Sequence, residues 1–333
     1  MSATTTTARQ APPSLLKRVV IDHPLVAFFV LAFLGTWAVL LPTVLFESGL
    51  GLIPISLPVP SLLFLPPAVI AGPPLAAFVV TRIVEGKEGT RKLRRRVLRW
   101  RVGIHWYLIV LFGLPVAYFL VASLVFGTAP LNALTEKWPL IFTSYLPNVL
   151  VTVLVASVWE ETGWAGFATP RMQDKYGPLL ASVALGILWA LWHLPWYFAS
   201  GVVVDEKVRL ADIERLLYLL PLLILLAIPS RIIMTWLFNS AMGSVLIITL
   251  FHAGWDTTNT KIIPAFMPQM DKMFANNEWL YVLFGILALL LIVFTKGRLS
   301  YRPDHAAPPA EDAEDAPSSK AERRIPGSNM PSG

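Results

Sequence analysis

The chain has 333 residues, 55% of them hydrophobic and only 14% charged, with a mean hydropathy of +0.62. A soluble domain carries about 25% charged residues, so a soluble globular protein is excluded and a multi-pass membrane protein is expected. The absence of cysteine removes disulfides, thiolate nucleophiles and Cys-ligated metal sites, and the net charge of +6 is concentrated in one loop where it reports on a membrane rather than on nucleic acid.

In chain order, residues 1–20 begin with a Ser-, Thr- and Pro-rich stretch and read as a disordered cytoplasmic N-terminus. The apolar run at 25–46 is long enough to span, at about 20 residues, and too long for a signal-peptide core, so it is read as a retained helix. The run at 61–84 is broken by Pro66, Pro67, Pro73 and Pro74, which requires neighbours to satisfy its backbone. Between Arg82 and Arg101 lie nine of the 27 basic residues, among them Arg94, Arg95 and Arg96. Such a loop stays cytoplasmic and attracts anionic lipid headgroups at about 1 kcal/mol per basic residue. Further apolar runs follow at 106–126, 146–168, 180–199, 218–238, 244–258 and 280–295. Eight spans predict an all-α, polytopic membrane bundle over residues 21–296, an integral protein of the cytoplasmic membrane. Both termini then lie in the cytoplasm, and the loop bearing Asp205 and Glu206 lies outside. The tail at 297–333 lacks apolar periodicity and reads as disordered and cytoplasmic.

Several spans carry ionisable residues, each costing at least about 2.5 kcal/mol to place in hydrocarbon, so each is by default a candidate functional group. Glu160 and Glu161 are adjacent, His193 lies in the fifth run, Arg231 in the sixth, and His252 with Asp256 in the seventh. Helix positions four apart are neighbours, which pairs Trp189 with His193 and His252 with Asp256. Glu160 and Glu161 must diverge, one into a cavity and the other toward a neighbouring helix or the cytoplasmic headgroup zone. Two carboxylates close together in a low-dielectric site resist ionising together, which suits one of them, Glu160, to take a proton from water. Glu160, His193 and His252 are each expected part-way through a span and converging on one polar cavity. Trp189 and Trp164 are the tryptophans expected to line it.

The segment Glu160-Glu161-Thr162-Gly163-Trp164-Ala165-Gly166-Phe167, continued by Pro170-Arg171 and Tyr176-Gly177-Pro178, then Trp189-Ala190-Leu191-Trp192-His193, then His252-Ala253-Gly254-Trp255-Asp256, resembles the three ordered motifs of the CPBP family, the intramembrane proteases named for CAAX processing and bacteriocin processing (the Abi family). The likeness covers about 72–259 and departs at Ala165, where the family motif has arginine. The resemblance implies peptide-bond hydrolysis in a membrane-associated protein or peptide. Two routes stay open: Glu160, His193 and His252 hold Zn2+ or another divalent cation whose water attacks, or Glu160 acts as base without metal, assisted by His193, while His252 and Asp256 orient the carbonyl and stabilise the oxyanion. Asp256 cannot donate to that oxyanion if it is ionised. The missing arginine requires either that one glutamate stay protonated or that a cation come from elsewhere, with Arg231 the best placed and Arg171 the weaker choice. It also leaves a second reading, a catalytically silent scaffold or immunity protein of the same family. No Walker loop, His-Glu-x-x-His, Gly-x-Ser-Gly or Gly-x-Gly-Asp motif is present, so other intramembrane protease classes are not expected.

Overall fold

The structure, a computed structural model, describes residues 14–47, 49–56, 61–198, 213–273 and 278–303. The expectations for residues 1–13, for the loop with Asp205 and Glu206, and for the tail from 304 onward fall outside the described residues, while within the two segments read as disordered Leu15–Asp22 is helical and Leu299 and Tyr301 are hydrogen-bonded to the bundle. The described residues from Ser14 to Tyr301 belong to one compact unit.

Among the described residues the fold is all helical. We number α1 Pro24–Leu45, α2 Leu65–Val84, α3 Gly86–Val97, α4 Ile104–Phe126, α5 Ile141–Tyr176, α6 Pro178–Phe198, α7 Leu219–Ser240, α8 Val245–Thr257 and α9 Leu280–Thr295. Six of these, α1, α2, α4, α5, α6 and α7, are long and apolar enough to cross a membrane, while α9 is a shorter apolar helix. The other expected span, α8, has 13 residues. It can be short because protein surrounds it: it packs on α4, α5 and α7, and all but a few of its residues are buried. A helix apolar on every side belongs in a core.

Proline shapes the long helices. Four wide turns of the π type, Ile109–Gly113, Ile141–Tyr145, Trp164–Ala168 and Thr258–Ile262, each have a proline two residues on, Pro115, Pro147, Pro170 and Pro264, whereas a fifth, Val153–Ser157, does not. A proline ring clashes with the carbonyl four residues earlier and donates no hydrogen bond to it; here that carbonyl is always the centre of the wide turn. Two of the freed carbonyls find side-chain donors. Leu111 O accepts from the Tyr145 hydroxyl at 2.5 Å, and Gly166 O accepts from Arg96 Nη1 at 2.8 Å. The break in α2 at Gly72 and Pro73 is handled similarly, with Thr36 Oγ1 of α1 donating to Ala68 O at 2.9 Å, as backbone polar groups within a membrane require.

The basic helix α3 lies at one end of the bundle, joined there to several loops. Arg171 forms an ion pair with Glu85, Ser244 Oγ donates to Arg99 O at 2.6 Å, Asn239 exchanges amide hydrogen bonds with Gln173 at 3.1 Å and donates to Leu299 O at 2.9 Å, and Tyr301 donates to Asp174 at 2.6 Å. Half-buried Arg96 is desolvated and sits near Arg171 and Arg99, which brings its guanidinium down to about 10; it is still charged at neutral pH. The positive charge of α3, Arg171, Lys175 and Arg298 thus collects on one end.

Candidate active site

The ionisable residues of the spans come together where α5, α6, α7 and α8 meet. Glycine makes the approach possible. A Cβ on Gly163 of α5 would lie 2.4 Å from the Pro73 ring and 2.7 Å from Pro73 O, and one on Gly186 of α6 would lie 2.8 Å from Ile228 Cα of α7. Small residues at such points allow membrane helices to pack backbone against backbone, and each contact sits within a turn or so of a site residue.

The adjacent glutamates diverge. Glu160 turns to α6, where its Oε2 accepts from the Trp189 indole at 3.1 Å. Glu161 turns to the gap between α7 and α8: Oε2 accepts from Arg231 Nη1 at 2.8 Å, and Oε1 lies 3.0 Å from His252 Nδ1. The side chains of Glu161 and Arg231 are 0% and 2% exposed, so this is a buried ion pair on the expected substitute cation. Arg171, the weaker expectation, is committed to Glu85. Ala165 itself is buried.

Trp189 is the hub. Besides the bond to Glu160, its ring centroid lies 4.1 Å from that of His193 and 6.2 Å from that of His252, and the Arg231 guanidinium sits 5.1 Å from the ring centroid, within cation–π range. His193 Nδ1 lies 2.8 Å from Trp189 O. A carbonyl can only accept, so Nδ1 carries the proton, and in the neutral ring Nε2 presents its lone pair. His193 lies part-way through the span Pro178–Phe198, at a change of helix type. The α-helical part of α6 ends at Trp192, and His193 caps it before the tight turn Leu194–Phe198, because Pro195 disfavours helical backbone at the residue before it and cannot extend the ladder.

His252 Nε2 lies 3.6 Å from Asp256 Oδ2, an ion-pair distance too long for a hydrogen bond. Asp256 has a side chain 44% exposed, against 5% for His252, so the cluster opens on the Asp256 side. Trp164 is fully buried and packs on Phe28, Phe29 and Trp192, whose ring in turn contacts His193. Sequence reasoning passed over Trp192, Trp196 and Trp255, whose rings contact His193 or His252. Their proximity to the histidine motifs was the available signal.

The donor set does not fit the metal of the first of the two routes. Among the described residues no three His, Asp or Glu side chains are arranged to hold one ion: one nitrogen of His252 faces Glu161 and the other Asp256, and Glu160 is turned to Trp189.

Residues 142–258 match the family described as type II CAAX prenyl endopeptidase, Rce1-like. A curated relative, CAAX prenyl protease 2 of Methanococcus maripaludis, is 26% identical over an alignment of 187 residues that covers 54% of this chain and 66% of that protein. The chain thus spans just under two thirds of the relative's length. The matched region contains Glu160, Glu161, His193, Arg231, His252 and Asp256.

Proposed function

Because the chain belongs to the Rce1-like family of type II CAAX prenyl endopeptidases, we propose that it is an active intramembrane endopeptidase, hydrolysing a peptide bond in a membrane-associated protein or peptide with Glu160 as general base. The observation that carries this reading is the unequal commitment of the two glutamates. Glu161 has both oxygens engaged, by Arg231 and His252, while Glu160 accepts at Oε2 alone among the described residues. Its Oε1 is free to take a proton from water, and the lone pair of His193 Nε2 helps orient that water. The carbonyl enters from the open Asp256 side. Positioned general bases contribute about 10²- to 10⁴-fold.

The ion pair between Arg231 and Glu161 also favours activity over the silent-scaffold reading, since the cation missing at Ala165 is supplied from α7. Orientation belongs to the same proposal: the basic end faces the cytoplasm and anionic headgroups, and the substrate is a protein held at the bilayer.

The test is cleavage of a fluorogenic membrane-anchored peptide by the purified protein in proteoliposomes. Glu160→Gln should lower kcat by at least about 10²-fold with the protein still folded, and wild-type activity should survive chelators. Equal activity of Glu160→Gln and wild type would remove Glu160 as base. A folded wild-type protein with no cleavage across a peptide panel would favour the scaffold, and loss to chelators restored by Zn2+ would favour the metal route.

A further inference from the structure

Arg231 is the strongest hydrogen-bond donor in the site, and most of its capacity is unused. A guanidinium presents five N–H groups in a fixed fork. Only Nη1 is engaged, with Glu161; Nε and Nη2 are buried and have no partner among the described residues, on a side chain 2% exposed. Unpaired buried donors on a charged group are costly. Neutralising Glu161 requires a cation, which a lysine could supply; it does not explain two further donors held dry beside it.

Their location suggests what they serve. The guanidinium lies over the Trp189 ring, the same side chain that donates to Glu160 and contacts both histidines. Three other donors nearby are engaged, the Trp189 indole on Glu160, His193 Nδ1 on Trp189 O, and His252 Nδ1 on Glu161, and the unpartnered Trp192 indole beside His193 is neutral. Asp256, which faces His252 Nε2, only accepts when ionised. Hydrolysis nevertheless generates an oxyanion, which needs donors already in place.

We propose that Arg231 is a catalytic residue whose Nε and Nη2 groups donate to the oxyanion of the tetrahedral intermediate, while its Nη1 holds Glu161. This rests on the hydrolytic reading above. Glu160 removes a proton from water as the water oxygen bonds to the carbonyl carbon, and the carbonyl π pair moves onto oxygen, where Arg231 receives it. On collapse that pair re-forms the carbonyl, the C–N bond breaks, and the proton held by Glu160 passes to the leaving nitrogen. The products are a carboxylic acid, which ionises, and an amine.

Two variants separate this role from that of a counterion. Arg231→Lys keeps a cation for Glu161 and loses the planar fork. Arg231→Gln combined with Ala165→Arg supplies the cation from α5 and leaves no guanidinium on α7. Both are assayed in proteoliposomes against a peptide that the wild type cleaves, with thermal unfolding in detergent as the check on folding. The expected result is a folded protein with kcat reduced by about 10²- to 10³-fold and KM little changed. Affinity for a peptide phosphonate, an anionic tetrahedral analogue, should fall by a similar factor, while affinity for an uncleaved amide analogue holds. Near-wild-type kcat or unchanged phosphonate affinity in either folded variant would overturn the proposal and leave Arg231 as the partner of Glu161 alone. Failure of the wild type to cleave any peptide would instead fail the hydrolytic reading.

Discussion

Glu160 and Glu161 are neighbours in sequence with opposite environments. Glu161 belongs to a buried charge pair, and removing one partner of such a pair costs about 3–5 kcal/mol because the other charge is left uncompensated. Glu160 bonds to a neutral indole, so neutralising it leaves no orphaned cation. Glu161→Gln should therefore lower thermal stability in detergent markedly, while Glu160→Gln should stay within about 1 kcal/mol of wild type. Equal stability of the two variants would show that the ion pair between Arg231 and Glu161 contributes nothing in the folded protein. Trp189 matters at the same scale because one side chain and its carbonyl fix the orientation of Glu160 and the tautomer of His193.

The helices deliver these groups through two devices: prolines that widen turns and glycines that let backbones touch. The wide turn Trp164–Ala168 lies just after the glutamates, and such turns are frequent at functional sites. Its freed Gly166 carbonyl is held by Arg96, tying the basic helix α3 to the helix that carries Glu160. Gly163 faces Pro73 with no room for a methyl group. Gly163→Ala should push α5 away from α2 and cost at least about 10-fold in activity, as misplacement by 1 Å can cost more. Cleavage assays on protein of unchanged elution and thermal transition would check this; full activity would mean that the contact does not set the position of Glu160.

At the scale of the whole molecule, α8 is enclosed by other helices and carries His252 into the interior, while basic residues from separate parts of the chain meet at one end. That asymmetry predicts sidedness. The chain has no cysteine, so single cysteines introduced as Arg95→Cys and Asp205→Cys can be probed with an impermeant thiol reagent in intact cells. Label should reach Asp205→Cys from outside and Arg95→Cys only after the membrane is opened. Labelling of both from one side would overturn the assigned orientation.

Composition alone determined that the chain lives in a membrane, because a chain this apolar cannot bury its surface any other way. The cost of placing ionisable groups in hydrocarbon singled out Glu160, Glu161, His193, Arg231, His252 and Asp256 before any coordinates, and spacing paired Trp189 with His193. What sequence could not decide was direction. Which glutamate meets Arg231, which nitrogen of His252 faces which carboxylate, and whether Trp164 turns to the site or the core depend on how helices rotate about their own axes. That rotation is set by contacts between residues far apart in the chain, such as Gly163 on Pro73 and Gly186 on Ile228, and by prolines that reset helical register. Local periodicity carries neither, so only the tertiary packing separated the glutamate held in an ion pair from the one bonded to a neutral indole.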